Sequence, residues 1–149
     1  MEFIQDLLSN RILICGSVAW LFAQILKTLI HWRVHRKLDY SRLFGDGGMP
    51  SGHSATVTAM AARSGLIYGA ASFEFAVTVM LAIIVMHDAT GVRQETGKQA
   101  KVIKEIAQLL EELGQDVTNE EKLKEFVGHT PSQVVAGALL GICTALLLP

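Results

Sequence analysis

The sequence predicts an all-α, polytopic membrane protein. About four membrane helices are expected, with a polar amphipathic helical insert between the third and the fourth. Three observations carry this prediction. Half of the 149 residues are hydrophobic, although 18% are charged, and the mean hydropathy is +0.36. The charge is segregated, nearly absent from 12–24, 75–86 and 134–149 and crowded into 33–42 and 93–124. Apolar blocks alternating with charged connectors are the pattern of membrane spans joined by loops. The length suits one domain, 1–149, and a net charge of -1 argues against nucleic acid as a partner.

The first apolar helix is expected over 10–32. It is preceded by no basic leader or small-residue cleavage site, so it reads as a retained helix and not a signal peptide. His31, Arg33, Arg36, Lys37 and Arg42 form a basic stretch. Gly45-Asp46-Gly47-Gly48-Met49-Pro50 makes a tight loop, and Ser51 opens a second helix reaching 69. The third helix covers 73–89, and the fourth starts near Thr130. Within the insert, 94–127, residues Val102, Ile103, Ile106, Leu109, Leu110 and Leu113 recur at helical spacing and Gly114 fits the stop. Thr118-Asn119-Glu120-Glu121 is a capping-box pattern opening a short helix towards Phe126. The insert reads as a solvent-side lid or packing helix, with a membrane-surface helix as the alternative.

Cys15 and Cys143 sit in apolar blocks without metal or redox spacing, so both read as small buried residues, and neither a metal nor a cofactor is expected. The second helix is rich in Ala, Ser, Thr and Gly, and the fourth carries Gly137-x-x-x-Gly141. Such faces permit close helix packing, and a homodimer would help to bury them. Arg63, at the middle of the second helix, needs a protein partner or a polar cavity.

If four helices cross alternately, Lys27, His53, Asp88, Arg93 and His129 fall on one membrane face. That side holds ten of the thirteen Lys and Arg residues, which places it in the cytoplasm. Two of these positions are helix N-termini, whose free N–H groups and positive dipole ends attract anions. Lys27 and Arg93 would complete a phosphate cradle, and two facing histidines could divide nucleophilic attack and proton delivery. Each residue also has a plainer reading. Lys27 snorkels, Arg93 is one more cytoplasmic charge, the histidines simply start helices, and Gln133 only completes the Thr130-Pro131-Ser132-Gln133 capping box. Asp88, near a helix C-terminus, calls for a cationic partner such as Arg93.

The run Gly47-Gly48-Met49-Pro50-Ser51-Gly52-His53-Ser54-Ala55 resembles the Pro-Ser-Gly-His motif of the type-2 phosphatidic acid phosphatase superfamily, which includes vanadium-dependent haloperoxidases. Gly128-His129-Thr130-Pro131-Ser132-Gln133 resembles its third motif. Together with Asp88-Ala89-Thr90-Gly91-Val92-Arg93, the set is similar to the divergent bacterial and plant branch. The resemblance covers roughly 24–141. It implies an integral protein of the bacterial plasma membrane that hydrolyses a lipid phosphate or diphosphate through a phosphohistidine. His129 would be the nucleophile, His53 the general acid, and Ser51, Gly52, Lys27 and Arg93 phosphate ligands. Gln133 stands where the superfamily has an orienting Asp, and Asp88 could supply a carboxylate from another helix. The alternative is a non-catalytic lipid-phosphate binder or carrier. Nothing points to a soluble vanadate enzyme.

For the orientation, cysteine labelling from outside intact cells should reach a probe near residue 71, and a probe near residue 115 should stay protected. The reverse pattern would move the site to the outer face.

Overall fold

In the computed structural model, residues 2–36, 48–114 and 128–148 are described, without the side chains of residues 35, 92–94 and 111. The described residues form α1 (Glu2–Ser9), α2 (Arg11–His35), α3 (Gly52–Tyr68), α4 (Phe73–Thr90), α5 (Val92–Glu112) and α6 (Pro131–Leu147), with no strand among them. The caps explain the boundaries. Asn10 Oδ1 accepts the N–H groups of Ile12 and Leu13 at 3.1 and 3.2 Å, which starts α2 afresh and splits off α1, a helix the sequence reading had not separated. Ser51 Oγ accepts from Ser54 N–H at 3.3 Å, and Ser72 Oγ from Phe75 N–H at 3.2 Å. Gln133 Oε1 accepts Thr130 N–H at 3.2 Å, and Pro131 follows in the first turn of α6.

The four expected apolar helices coincide with α2, α3, α4 and α6 to within a few residues. In the insert, α5 begins directly after Gly91, so it continues from α4 with only a turn between them, and Gly114 lies just beyond its end. The short helix expected between Thr118 and Phe126, and the basic residues Lys37 and Arg42, lie outside the described residues.

Helix α3 occupies the centre, with α2, α4 and α6 packed around it. The sorting of side chains is inverted relative to a water-soluble core. Buried apolar residues are mostly alanines, among them Ala19, Ala23, Ala55, Ala59 and Ala145, and polar Gln24, Lys27, Ser51, Ser54, Thr58, Arg63, Ser64 and Thr144 are buried with them. Phe22, Ile25 and Leu29 on α2, Met80 and Ile84 on α4, and Leu139 and Leu146 on α6 are exposed. Water would penalise so broad an apolar exterior, whereas hydrocarbon accepts it and demands that polar groups turn inward. Two described stretches, Arg11–Val34 and Phe73–Leu110, are long and apolar enough to cross a membrane, and Pro131–Leu147 is a shorter apolar helix.

The glycine pair of α6 is used inside the chain. A Cβ at Gly137 would collide with the Ser51 carbonyl oxygen and lie 3.0 Å from Ser54 Cβ, and one at Gly141 would run into the Ala55 carbonyl oxygen and Thr58 Oγ1. Backbone therefore lies against backbone along the α3–α6 seam, where Thr58 Oγ1 also reaches the Ala138 carbonyl at 3.2 Å. Within the chain, α3 and α6 thus bury these small-residue faces against each other. Arg63, whose partner the sequence could not name, donates from Nη1 to the Leu148 carbonyl at 3.0 Å. There it meets the negative end of α6, a favourable place for a cation. Cys15 is buried as expected, but Cys143 is exposed, on the outer side of α6 and away from the small-residue seam.

Replacing Gly141 by Leu should therefore lower the midpoint of thermal unfolding in detergent sharply, since overpacking costs about 1–3 kcal/mol and more where backbone must retreat. Leu139→Ala, on the exposed side of the same helix, should leave it nearly unchanged. Equal behaviour of the two variants would remove the seam from the list of stabilising contacts.

Candidate phosphate-binding site

Helices α3 and α6 run parallel, so their N-termini lie side by side. Ser51 N–H donates to the Gln133 carbonyl at 3.0 Å, locking the two helix starts together. Helix α4 runs the other way, and the Ala89 carbonyl in its last turn accepts His129 N–H at 2.9 Å. Helix α2 is antiparallel to α3 and brings Lys27 to the same end. A Cβ at Gly48 would lie 3.2 Å from Lys27 Cγ, and Gly48 has φ +87°. A glycine is required there on both counts. Four helix ends thus converge, and two of them present positive dipole ends to one place.

His53 and His129 face one another across this point, with ring centroids 5.9 Å apart and planes inclined by 64°. His129 is only 3% exposed and Lys27 5%, while His53 is half-buried. Lys27, His53, Asp88 and His129 are each engaged in polar or ring contacts.

The tautomer of His129 follows from its neighbour. Gln133 Oε1 lies 3.1 Å from His129 Nδ1 and also accepts the Thr130 backbone N–H. A backbone N–H only donates, so the amide oxygen must face it, and an amide flip is excluded by that bond. The same oxygen then requires a proton on Nδ1. The lone pair of the neutral ring is left on Nε2, the form a nucleophilic imidazole needs.

The remaining expected residues fall as follows. Ser51 is fully buried. Its N–H is engaged by Gln133 and its Oγ by Ser54, including Ser54 Oγ at 3.1 Å, so Ser51 builds the turn that presents the next N–H groups. Gly52 is buried beneath Trp20, whose Cδ1 would be 3.5 Å from a Cβ at that position. Asp88 is half-buried in the last turn of α4, one residue before the carbonyl that holds His129. Arg93 belongs to the first turn of α5, and its side chain lies outside the described residues. One residue escaped the sequence reading. Gln24, one helical turn before Lys27, is 7% exposed and its Oε1 has no hydrogen-bond partner. Two polar residues three apart in an otherwise apolar helix were the available signal.

The arrangement defines a class: a protein whose described residues are helical with an apolar exterior, and which holds a facing pair of histidines, one buried and one half-buried, at the joined N-termini of two helices. Within that class the chain belongs to the Divergent PAP2 family, which matches residues 8–144. It is 41% identical over 152 residues to the uncharacterized membrane protein YuiD of Bacillus subtilis (strain 168), covering 96% of each chain. No solved structure matches it.

The tautomer is directly observable. In protein labelled with nitrogen-15 histidine, His129 should show a protonated Nδ1 and an unprotonated Nε2, and Gln133→Ala should let the two forms mix. A wild-type spectrum with the proton on Nε2 would refute the assignment.

Proposed function

We propose that this protein is a membrane phosphatase-like enzyme that hydrolyses a lipid phosphate or diphosphate through a phosphohistidine. The observation that carries the reading is the facing pair His53 and His129 at two helix N-termini, with buried Lys27 beside them. His129 Nε2 attacks phosphorus as the bond to the leaving oxygen breaks, and His53 delivers a proton to that oxygen. Water then attacks the phosphohistidine, the P–N bond breaks, and His53 takes a proton from the water as phosphate is released. Lys27, Arg93 and the N–H groups at the start of α3 would stabilise charge on the non-bridging oxygens. The Pro50-Ser51-Gly52-His53 motif and membership of the Divergent PAP2 family support the same assignment of roles.

A lipid substrate suits the surroundings. An apolar groove of about 420 Å³ between α2 and α3 is lined by residues including Leu13, Gly16, Trp20 and Met60. Its lining residue Trp20 also covers Gly52, so a chain lying in the groove would have its headgroup within reach of the histidine end. In this reading α2, α3, α4 and α6 all cross the bilayer, with the site on the cytoplasmic face, where most of the Lys and Arg residues lie.

Gln133 favours a second reading. A neutral amide fixes the tautomer of His129 but stabilises a developing imidazolium far less than a carboxylate does, so a cradle that binds lipid phosphate without turnover is the alternative. Purified protein assayed against a panel of lipid phosphates separates the two.

For the enzyme, His129→Ala should abolish phosphate release while retaining ligand binding, and His53→Ala should slow it by about 10²–10⁴-fold, least for substrates with good leaving groups. Lys27→Ala should weaken binding and turnover together. Gln133→Asp should raise the rate unless Asp88 already serves His129. The binder shows no turnover in any variant. Wild-type release that survives His129→Ala unchanged would exclude the nucleophile.

A further inference from the structure

We propose that the end of the bundle remote from the histidines carries a second oxyanion site, built by Arg11 and Arg63 and suited to a phosphate group. This inference does not rest on the phosphatase reading. Arg63 lies ten residues beyond His53 on α3, about 15 Å further along the helix axis. It lines a cavity of about 320 Å³ together with Ser9, Arg11, Ile14, Cys15 and Leu148. That volume lies within the range of ligand pockets, about 300–1,000 Å³.

Three features give the cavity its chemistry. It contains two guanidinium groups and no acidic side chain among its lining residues. Neither arginine forms an ion pair with a described residue. Arg63 is 7% exposed, and its hydrogen bond to the Leu148 carbonyl uses one of five available N–H donors. A guanidinium is costly to bury between membrane helices and is expected to face a polar partner. The helix dipoles do not cancel it. The C-termini of α3 and α6 at this end are offset by the N-termini of α2 and α4, which begin there. The described lining residues therefore carry the positive charge of the two arginines, with Ser9 at the cavity's edge and the planar forks available for bidentate binding. A phosphate, free or at the head of a lipid, matches that donor set.

The test is calorimetric titration of the full chain in an uncharged maltoside detergent. The probes are dihexanoyl phosphatidate and, separately, inorganic phosphate, with dihexanoylglycerol as the uncharged control. A Lys27→Ala, His129→Ala double variant, which lacks the histidine-end cradle, should still bind one equivalent of phosphatidate. Adding Arg11→Gln should weaken that binding about tenfold, the loss of one charge-assisted contact. Arg11 is exposed at the start of α2, and an unchanged unfolding temperature of this variant keeps the test independent of stability. Arg63→Lys retains a donor for the Leu148 carbonyl but loses the fork, and should weaken binding several-fold at unchanged unfolding temperature. Binding of phosphatidate alone identifies a lipid headgroup as the ligand, and equal binding of inorganic phosphate identifies the free anion. Absence of binding in the double variant, or binding indifferent to both arginine substitutions, would overturn the proposal. Missing turnover together with intact arginine-dependent binding would instead count against the phosphatase reading and leave this site standing.

Discussion

Everything at the histidine end depends on how closely α3 and α6 approach each other. Gly137 and Gly141 have no side chain to hold the helices apart, so Ser51 and Ala55 of α3 meet the α6 backbone directly. In hydrocarbon, helix association gains little from the hydrophobic effect, and close packing with interhelical hydrogen bonds has to supply it. The seam provides both, through the backbone contact and through Thr58. Its consequence is positional. The contact fixes α3 and α6 parallel and in register, and the Ser51–Gln133 backbone bond brings their N-termini level. His53 and His129 then face one another because each sits at the start of its helix.

Electrostatics follows from the same register. The N-termini of α3 and α6 favour anions beside them and their C-termini favour cations, with α2 and α4 running the opposite way between the same two ends. The sequence matches that polarity with Lys27, two histidines and glycine-rich backbone at one end. Arg63 binds the terminal carbonyl of α6 at the other. Several polar side chains buried between helices are satisfied locally by backbone or by a neighbouring hydroxyl. Thr58, Thr144 and Ser54 each bond to a carbonyl or hydroxyl within a turn. Gln24 Oε1 and Ser64 Oγ are left without partners, and Gln24 lies one helical turn before Lys27 on α2.

The exchange of Asp for Gln at position 133 separates two tasks that a carboxylate performs together. Orientation is retained, because Gln133 Oε1 takes both Thr130 N–H and His129 Nδ1–H. Stabilisation of the charged imidazolium is not, because an amide carries no formal charge. Whether a carboxylate from α4 restores it depends on Asp88, placed one residue before the carbonyl that anchors His129. In this chain the departure at position 133 thus concerns the electrostatic partner of the histidine more than its placement.

The sequence by itself determined the helices and their ends. Apolar blocks, small-residue composition and the capping residues Asn10, Ser51, Ser72 and Thr130 are local signals, and local hydrogen bonds set these boundaries. It also determined which residues share the histidine end, since alternating helices place Lys27, His53, Asp88 and His129 together whatever their packing. Only the tertiary structure decided which helix stands at the centre, that the glycine pair packs against α3, that Cys143 faces outward, and that Arg63 finds the carbonyl of Leu148. Those outcomes depend on contacts between residues far apart in the chain, Arg63 and Leu148 among them. Composition and spacing record what a helix face contains, and the partner that covers it is chosen by the shape of all the faces together.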